Sequence, residues 1–215
     1  MTGSWCSRPR LLRLSFGGFL KCLPPCVRIG RLDMDVKCTL AGTLVRVVPL
    51  SPDDFPALYK AASDPLIWEQ NPEPTRYLPE VFSKFFAKIM SLGGPLSIVE
   101  IASGRIIGTS SYYNYDAVQR HVSIGYTFLE RSFWDKAYNR EVKSLMLDHA
   151  FRFVDKVLFE VGANNLRSQK ALGNIGATFV HETTLPSLDG TPMPYFVFSI
   201  HRSRFCADSQ CAQNR

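Results

Sequence analysis

The chain has 215 residues, 46% of them hydrophobic, which is enough for one well-buried domain and short for two. Its formal net charge of +6 is uneven, because residues 1–32 carry six basic side chains and no acidic one. The remaining residues are close to neutral, which argues against a nucleic-acid-binding surface on the domain.

The basic N-terminal segment has three interpretations. An arginine-rich, acid-free stretch with short apolar runs is typical of an organellar transit peptide. A secretory signal is disfavoured because one arginine and two glycines interrupt Leu11–Leu20, and no apolar run approaches membrane-spanning length. Met34 also offers a second start site. We interpret residues 1–38 as a disordered or mis-assigned basic extension, residues 39–205 as the domain and residues 206–215 as a flexible tail.

The cysteines are expected to lie outside the hydrophobic core. Two of them have the spacing of a metal-binding pair, but no second pair or nearby histidine completes a tetrahedral site. The sequence therefore predicts no metal, and a reduced cytoplasmic protein rather than a disulfide scaffold. The six cysteines are Cys6, Cys22, Cys26, Cys38, Cys206 and Cys211.

The first third of the domain is predicted to contain one strand and two helices. Residues 43–50 form a β-branched run that indicates the strand. Ser51 and the proline and acids after it are typical of a helix start, and Asp64-Pro65 ends that helix. After an irregular segment rich in aromatic residues and proline, Pro79 begins a second amphipathic helix that runs to about Leu92.

The rest of the domain is predicted to be a run of strands interrupted by two helices. Antiparallel strands first and a β-α-β unit in the middle predict a mixed, strongly twisted sheet covered by helices. The predicted strands are residues 97–101, 105–113, 121–129, 157–162, 178–185 and 193–201, and the helices are residues 139–154 and 168–175.

A basic turn, residues 131–138, leads directly into the first of these helices. The unpaired N–H groups and positive dipole end of a helix suit a phosphate or pyrophosphate. Arg131, Lys136 and Arg140 add positive charge around the turn. A solvated turn before a surface helix is the alternative, and the spacing alone leaves both open.

Three short motifs occur in a fixed order. They are Ile124-Gly125-Tyr126 at the end of a strand, Tyr-Asn-Arg-Glu-Val-Lys over residues 138–143, and Asn165-Leu166-Arg167-Ser168 followed by Gly176. Together, over roughly residues 44–203, they resemble the RimJ/RimL-like branch of the GNAT superfamily of N-acetyltransferases. The resemblance implies a mixed α/β fold with a strongly twisted, mostly antiparallel sheet, a central splayed parallel strand pair and flanking helices.

The resemblance also implies an activity. It predicts acetyl transfer from acetyl-CoA to a primary amine, on a protein N-terminus or a small molecule, by direct attack in a ternary complex. The expected partners are that amine acceptor and, as is common in the family, a second copy of the chain; no metal, nucleic acid or membrane is expected. The implied cofactor-binding residues are Tyr126, Thr127, Phe128, Leu129, Trp134, Lys136, Ala137, Tyr138, Asn139, Arg140, Asn165, Arg167 and Ser168.

The pyrophosphate turn departs from the superfamily pattern. Ala137 stands where glycine is usual, which requires a negative φ there. Asp135 adds a negative charge beside the expected phosphates. Asn139 is expected to cap the turn, whereas Asn165 either contacts the pantetheine arm or caps the following helix.

The catalytic residues are less clear. Leu172 occupies the position of the tyrosine that serves many relatives as general acid, so Ser168 or a water is the expected substitute. Ser123 stands where many relatives carry a glutamate, and His121 lies on the same strand face. His121 could accept the amine proton, or it could be a solvated residue at the strand start. Because these groups are altered, a catalytically silent CoA-binding module is the alternative function.

The resemblance also assigns an acceptor groove to three side chains, Glu69, Glu73 and Tyr113. An acid there could hold a cationic amine.

Overall fold

The fold is taken from a computed structural model that describes residues 33–134 and 137–205. Eight strands form one sheet in the order β1-β2-β3-β4-β5-β6-β8-β7. The predictions for residues 1–32, for Asp135 and Lys136 and for residues 206–215 lie outside the described residues.

The strands are β1 (Leu40–Ala41), β2 (Val45–Pro49), β3 (Gly94–Glu100), β4 (Ile106–Asp116), β5 (His121–Leu129), β6 (Lys156–Gly162), β7 (Thr178–Pro186) and β8 (Pro192–His201). The helices are α1 (Phe55–Ala62), α2 (Pro79–Ser91), α3 (Tyr138–Ala150) and α4 (Leu166–Gly173).

One pair of neighbouring strands is parallel, β5 with β6, and α3 connects the two. All the other neighbouring strands in the sheet are antiparallel. The predicted mixed fold with a central parallel pair is therefore confirmed.

The helix starts follow their local sequences. Ser51 accepts a hydrogen bond from the backbone N–H of Asp53, and the Asp54 carboxylate accepts one from the backbone N–H of Ser51. This reciprocal capping opens a short 3₁₀ turn, Pro52–Asp54, that continues into α1. Pro79 is the first residue of α2, where its missing N–H breaks no helical hydrogen bond.

Two hydrophobic clusters stabilise the described part of the chain. One joins the sheet to α3, with Tyr112 and Met146 among its fully buried members. The other joins α1 and α2 to the end of β5 through Phe128. Met34 and Cys38 are buried in the first cluster, so the prediction that every cysteine lies outside the core is wrong for Cys38.

Several element bounds differ from those predicted. The short strand β1 was not predicted, because two residues carry no periodic pattern of their own. Helix α3 ends at Ala150, four residues before the predicted end. Helix α4 begins at Leu166, two residues early, because Asn165 caps it.

Glu141 fixes the start of α3 to the turn between β1 and β2. Its carboxylate accepts hydrogen bonds from the N–H groups of Thr43, Leu44 and Val45, at 2.8 to 2.9 Å, and from the Thr43 hydroxyl at 2.6 Å. Burial acts to raise the pKa of Glu141, but these hydrogen bonds outweigh it and hold the pKa below its ordinary value of 4.5. A residue of the second motif is thus a structural anchor.

Candidate active site

The parallel strands β5 and β6 diverge and leave a cleft between them. They pair only over His121–Ser123 and Lys156–Leu158, although both strands continue beyond these residues. A cavity of about 1180 Å³ opens where the pairing stops, and the later residues of both strands line it. The splayed pair that the family resemblance implies is therefore present.

A β-bulge shapes the β5 wall of this cleft. Ser111 pairs with Gly125 and Thr109 with Phe128, so that two residues of β5 lie opposite one residue of β4. Tyr126, in the bulge, has a φ of +53°, a conformation that few non-glycine residues adopt. The bulge bends the strand at the point where it faces the cavity.

Glu160 and Tyr113 lie together in the cavity wall. The Tyr113 hydroxyl donates to Glu160 Oε2 at 3.0 Å, and the Tyr126 ring packs edge-on to Tyr113 at 5.3 Å. Burial, with Glu160 as the next contribution, raises the pKa of Tyr113 well above its ordinary value, so the phenol stays protonated. Glu160 thus presents a carboxylate held by one phenol.

A buried ion pair forms part of the same wall. Arg76 Nε and Nη2 donate to Glu73 Oε2 at 2.8 and 2.6 Å, and the guanidinium stacks over the Phe85 ring at 4.7 Å. The other Glu73 oxygen accepts a hydrogen bond from the backbone N–H of Leu188. The pair therefore ties the segment between α1 and α2 to the turn between β7 and β8.

Lys143 reaches the cavity from α3. The residue is only 7% exposed, and its Nζ donates to Thr127 Oγ1 at 2.8 Å and lies 5.7 Å from the centre of the Phe159 ring. Within the described residues no carboxylate forms an ion pair with it. Burial lowers the pKa of Lys143 from 10.5 to about 7.

Arg167 joins three segments at the rim of the cleft. Its guanidinium stacks over the Trp134 ring at 4.0 Å, donates to Glu69 Oε1 at 3.3 Å and reaches the Ile67 carbonyl at 3.1 Å. Trp134 in turn donates from Nε1 to the Leu129 carbonyl at 3.0 Å. This stack therefore joins the residues after β5 to the start of α4 at the rim.

The predicted cofactor-binding residues divide into two groups. Residues that line the cavity are Tyr126, Thr127, Phe128, Leu129, Trp134, Asn139, Asn165, Arg167 and Ser168. Ala137, Tyr138 and Arg140 do not line it, and Lys136 lies outside the described residues.

Two capping expectations have different outcomes. Asn139 lies inside the first turn of α3, because the helix begins at Tyr138 with Ala137 at the cap position; its predicted capping role is wrong. Ala137 has a φ of −67°, the negative value that an alanine there requires. Asn165 caps α4, since its Oδ1 accepts from the Ser168 N–H at 3.0 Å.

The predicted catalytic residues are separated. Ser168 lines the cavity, whereas His121 and Ser123 do not. Both lie where β5 is still paired with β6, before the cleft opens. Ser123 is 1% exposed, and His121 Nδ1 is buried without a hydrogen-bond partner among the described residues. Of the three acceptor-groove residues, Glu73 and Tyr113 line the cavity and Glu69 contacts Arg167 at its rim.

Sequence reasoning missed two charged residues of the cleft, and each had a local signal. Glu160 interrupts the apolar strand Val-Leu-Phe-Glu-Val, and Lys143 lies between Val142 and Met146 in a helix whose other face is polar. A charged residue inside an apolar pattern is a candidate functional group. Neither pattern says what the side chain would face.

The sequence matches the profile of a family described as "Acetyltransferase (GNAT) domain" over residues 45–178, more than half of the chain. A chain with this match and this splayed sheet belongs to the GNAT acetyltransferase family, a class of N-acetyltransferases that use acetyl-CoA. A search of curated protein sequences found no match.

Solved structures share the fold. An acetyltransferase structure from T. thermophilus has 25% sequence identity and a TM-score of 0.64, covering 79% of this chain and 92% of that one. A GCN5-related N-acetyltransferase from Brucella melitensis has 18% identity and a TM-score of 0.70, covering 83% and 85%. Mycobacterium smegmatis RimJ in complex with CoA-disulfide has 17% identity and a TM-score of 0.61, covering 78% and 89%.

Two kinds of feature are absent from the part of the chain that the structure describes. The described residues contain no group of three or more His, Cys, Asp or Glu side chains that could hold a metal ion. None of their helices has the length and apolar character needed to cross a membrane.

Proposed function

We propose that the protein transfers an acetyl group from acetyl-CoA to a primary amine by direct attack in a ternary complex, as a RimJ/RimL-like enzyme. The observation that carries this proposal is a carboxylate in the cleft: Glu160 lines the cavity between the diverging strands and accepts a hydrogen bond from Tyr113. An amine acceptor needs a group at this position that can take its proton.

The cleft fits the cosubstrate. Beyond Ser123 and Leu158 the facing backbones of β5 and β6 are not paired with each other, so Tyr126, Thr127 and Phe128 leave an edge to which a pantetheine arm could bind. The Leu129 carbonyl already accepts a hydrogen bond from Trp134, so Leu129 is not among the residues proposed to bind the pantetheine arm. Bound acetyl-CoA would supply the thioester, and the first turn of α3, of which Asn139 lines the cavity, would face its phosphates.

Glu160 replaces His121 as the proposed general base, and Ser123 is no longer proposed as a catalytic residue. The Glu160 carboxylate lies in the cavity, whereas the other two side chains lie beside the paired part of the strands. The amine nitrogen would attack the thioester carbonyl as Glu160 accepts its proton, directly or through water. Ser168, which lines the cavity, keeps its proposed place beside the leaving thiolate.

The acceptor would bind beside an aromatic wall. Phe85, Tyr113, Tyr126 and Tyr195 line this part of the cavity, and the Glu73 carboxylate is neutralised by Arg76. Among the described residues that line the cavity, Glu160 is therefore the carboxylate available to a protonated amine, and aromatic faces add cation–π attraction. A protein N-terminus and a small-molecule amine both satisfy this chemistry, and the proposal covers either.

The test is free-thiol release by the full-length protein with acetyl-CoA. Separate pools of N-terminal peptides and of small amines would be the acceptors, and calorimetry would measure acetyl-CoA binding. We expect binding, and thiol release with one pool, which would identify the acceptor class. Binding without release from any pool would contradict the proposal and favour the silent CoA-binding module.

Two further expectations rest on the sequence and the family resemblance. A second copy of the chain as partner, and a cytoplasmic location, remain predictions. Gel filtration with light scattering and fractionation of cells would check them.

A further inference from the structure

Lys143 is a primary amine built into the wall of the cleft. Among the residues that the structure describes, it is one of four lysines that line the cavity, but Lys84, Lys88 and Lys170 are exposed, whereas Lys143 is buried. Its Nζ is held by the hydroxyl of Thr127, the residue that follows Tyr126 in the bulge of β5. The amine therefore lies beside the strand segment to which we assign the thioester arm.

The surroundings of Lys143 favour the neutral amine. Within the described residues no carboxylate pairs with it, and its neighbours are a hydroxyl and the Phe159 ring. A buried ammonium without a counter-ion is costly, so burial lowers its pKa to about 7 and a large share of the amine is unprotonated near neutrality. The hydrogen bond to Thr127 uses one N–H and leaves the nitrogen lone pair of the neutral amine free.

We propose that Lys143 is an internal acyl acceptor: when acetyl-CoA occupies the cleft and no acceptor amine is present, the protein acetylates its own Lys143. This inference rests on the proposed binding of acetyl-CoA. It adds a modification site and a second outcome for the bound thioester.

The reaction needs no other reagent. The Nζ lone pair attacks the thioester carbonyl carbon, a C–N bond forms, and the C–S bond breaks with its electron pair leaving on sulfur. The proton that the nitrogen loses is taken up by the thiolate, so the products are Nε-acetyllysine and CoA. This is the balance of the amine transfer itself, with a side chain of the protein in place of the acceptor.

Acetylation would change the cleft in two ways. It removes the titratable amine, although the remaining amide N–H can still donate to Thr127. It also adds an acetyl group to a wall of the cavity that the pantetheine arm would share. We therefore expect the modified protein to bind acetyl-CoA more weakly.

The experiment incubates the full-length protein with acetyl-CoA and no acceptor, followed by intact mass and peptide mapping by mass spectrometry. We expect one acetyl group per chain, at Lys143, with an initial rate that saturates with acetyl-CoA and falls when excess CoA competes. Lys143→Arg should abolish this modification. Lys60→Arg, which removes an exposed lysine of α1 outside the cavity, should leave it unchanged.

Mapping of the wild-type protein is decisive even if the arginine variant folds poorly. The inference is overturned if Lys143 stays unmodified, or if it is modified no faster than in urea-unfolded protein. Thiol release with an amine pool while Lys143 stays unmodified would overturn this inference and leave the proposed function intact. If Lys143 is acetylated but no amine pool gives thiol release, this inference is supported and the proposed function is overturned. No binding of acetyl-CoA would contradict both.

Discussion

Charged side chains make different numbers of hydrogen bonds at two places along α3. One place is its junction with the β1–β2 turn, and the other is the cleft beside it. At the junction, Glu141 accepts four hydrogen bonds from three consecutive residues. In the cleft, Glu160 has a hydrogen bond from one phenol and Lys143 has one to a hydroxyl, among the described residues. Glu141 and Lys143 are two residues apart in the chain.

This difference in the number of hydrogen-bond partners distinguishes a charged side chain with a structural role from charged side chains that are candidates for a chemical role. A carboxylate that accepts several hydrogen bonds is stabilised in its charged form, and its partners hold neighbouring elements together. A charged group with one partner retains free hydrogen-bonding capacity and a protonation state that a ligand can change. The motif Tyr-Asn-Arg-Glu-Val-Lys therefore contains an anchor and, two residues further on, a candidate reactive group.

The largest expected effect follows from removing the cleft carboxylate. Glu160→Gln keeps the size of the side chain and an oxygen that can accept from Tyr113, but it cannot take a proton from the acceptor amine. We expect kcat/KM for acetyl transfer to fall about 10²- to 10⁴-fold, with acetyl-CoA affinity nearly unchanged. Thiol release and calorimetry measure the two quantities.

The matched control is Glu182→Gln, an exposed glutamate of β7 that does not line the cavity. It should leave both quantities as in the wild-type protein. Equal activity of Glu160→Gln and wild type would show that the proton leaves by another route and that the cleft carboxylate is not the base.

A second prediction concerns the free-energy cost of burying the Lys143 amine. Its pKa is lowered in the folded protein, so the folded state resists protonation and the unfolded state does not. Wild-type stability should therefore rise as pH increases from about 7 to 10.5, by on the order of 4 kcal/mol from this group. Lys143→Met removes the group, so the variant should exceed the wild type most at pH 7 or below.

Urea unfolding at several pH values between these limits measures that difference. Lys60→Met, at an exposed position of α1, should show no such dependence of its stability difference on pH. A constant difference between wild type and Lys143→Met would mean that the amine is as well solvated in the folded protein as in the unfolded chain.

The third prediction concerns removal of the Glu141 carboxylate, which anchors α3 to the β1–β2 turn. Glu141→Ala leaves three backbone N–H groups and a hydroxyl without their acceptor, and we expect a loss of about 3 kcal/mol in the free energy of unfolding at pH 7. Because the pKa of Glu141 is lowered on folding, its contribution is present above its ordinary value of 4.5 and is lost as pH falls through the folded pKa. The stability curves of variant and wild type should converge in that acidic range.

Glu80→Ala supplies the comparison for this experiment. Glu80 is also an acid in the first turn of a helix, α2, but it is exposed, and its side chain has no capping hydrogen bond to another described element. Its removal should cost well under 1 kcal/mol, the usual size of a charge–dipole interaction. Similar losses for both variants would mean that Glu141 acts through the helix dipole and not through the junction.

Sequence reasoning predicted most of the fold because the relevant signals are local. The observed bounds of β5 are the predicted ones, because an apolar strand followed by a basic turn can be recognised from a short stretch of sequence. The start of α2 at Pro79 was also readable from a single residue, whereas capping of α4 was one of two roles expected for Asn165. These features depend on backbone conformation and hydrophobic pattern.

The site was less predictable because it depends on where two distant strands separate. Ser123 was assigned from the family resemblance and His121 from its place on the same strand face, but the cleft opens only beyond the last residues that β5 and β6 pair. Glu160 is 47 residues from Tyr113, its hydrogen-bond partner, so no local pattern could reveal the contact. The functional meaning of both charged cleft residues arises from packing between elements.

The smallest expected effect concerns Arg167 at the rim, a charged residue that has several partners and also lines the cavity. Arg167→Lys keeps the charge and loses the planar stack on Trp134 and the paired contacts with Glu69 and the Ile67 carbonyl. We expect a stability loss of about 0.5–1 kcal/mol and a change of only a few-fold in acetyl-CoA affinity. Arg152→Lys, at an exposed position after α3, should change neither. If Arg167→Lys instead abolished binding, the rim stack would belong with the cosubstrate-binding groups, and the number of partners would no longer separate structural charges from those that serve the ligand.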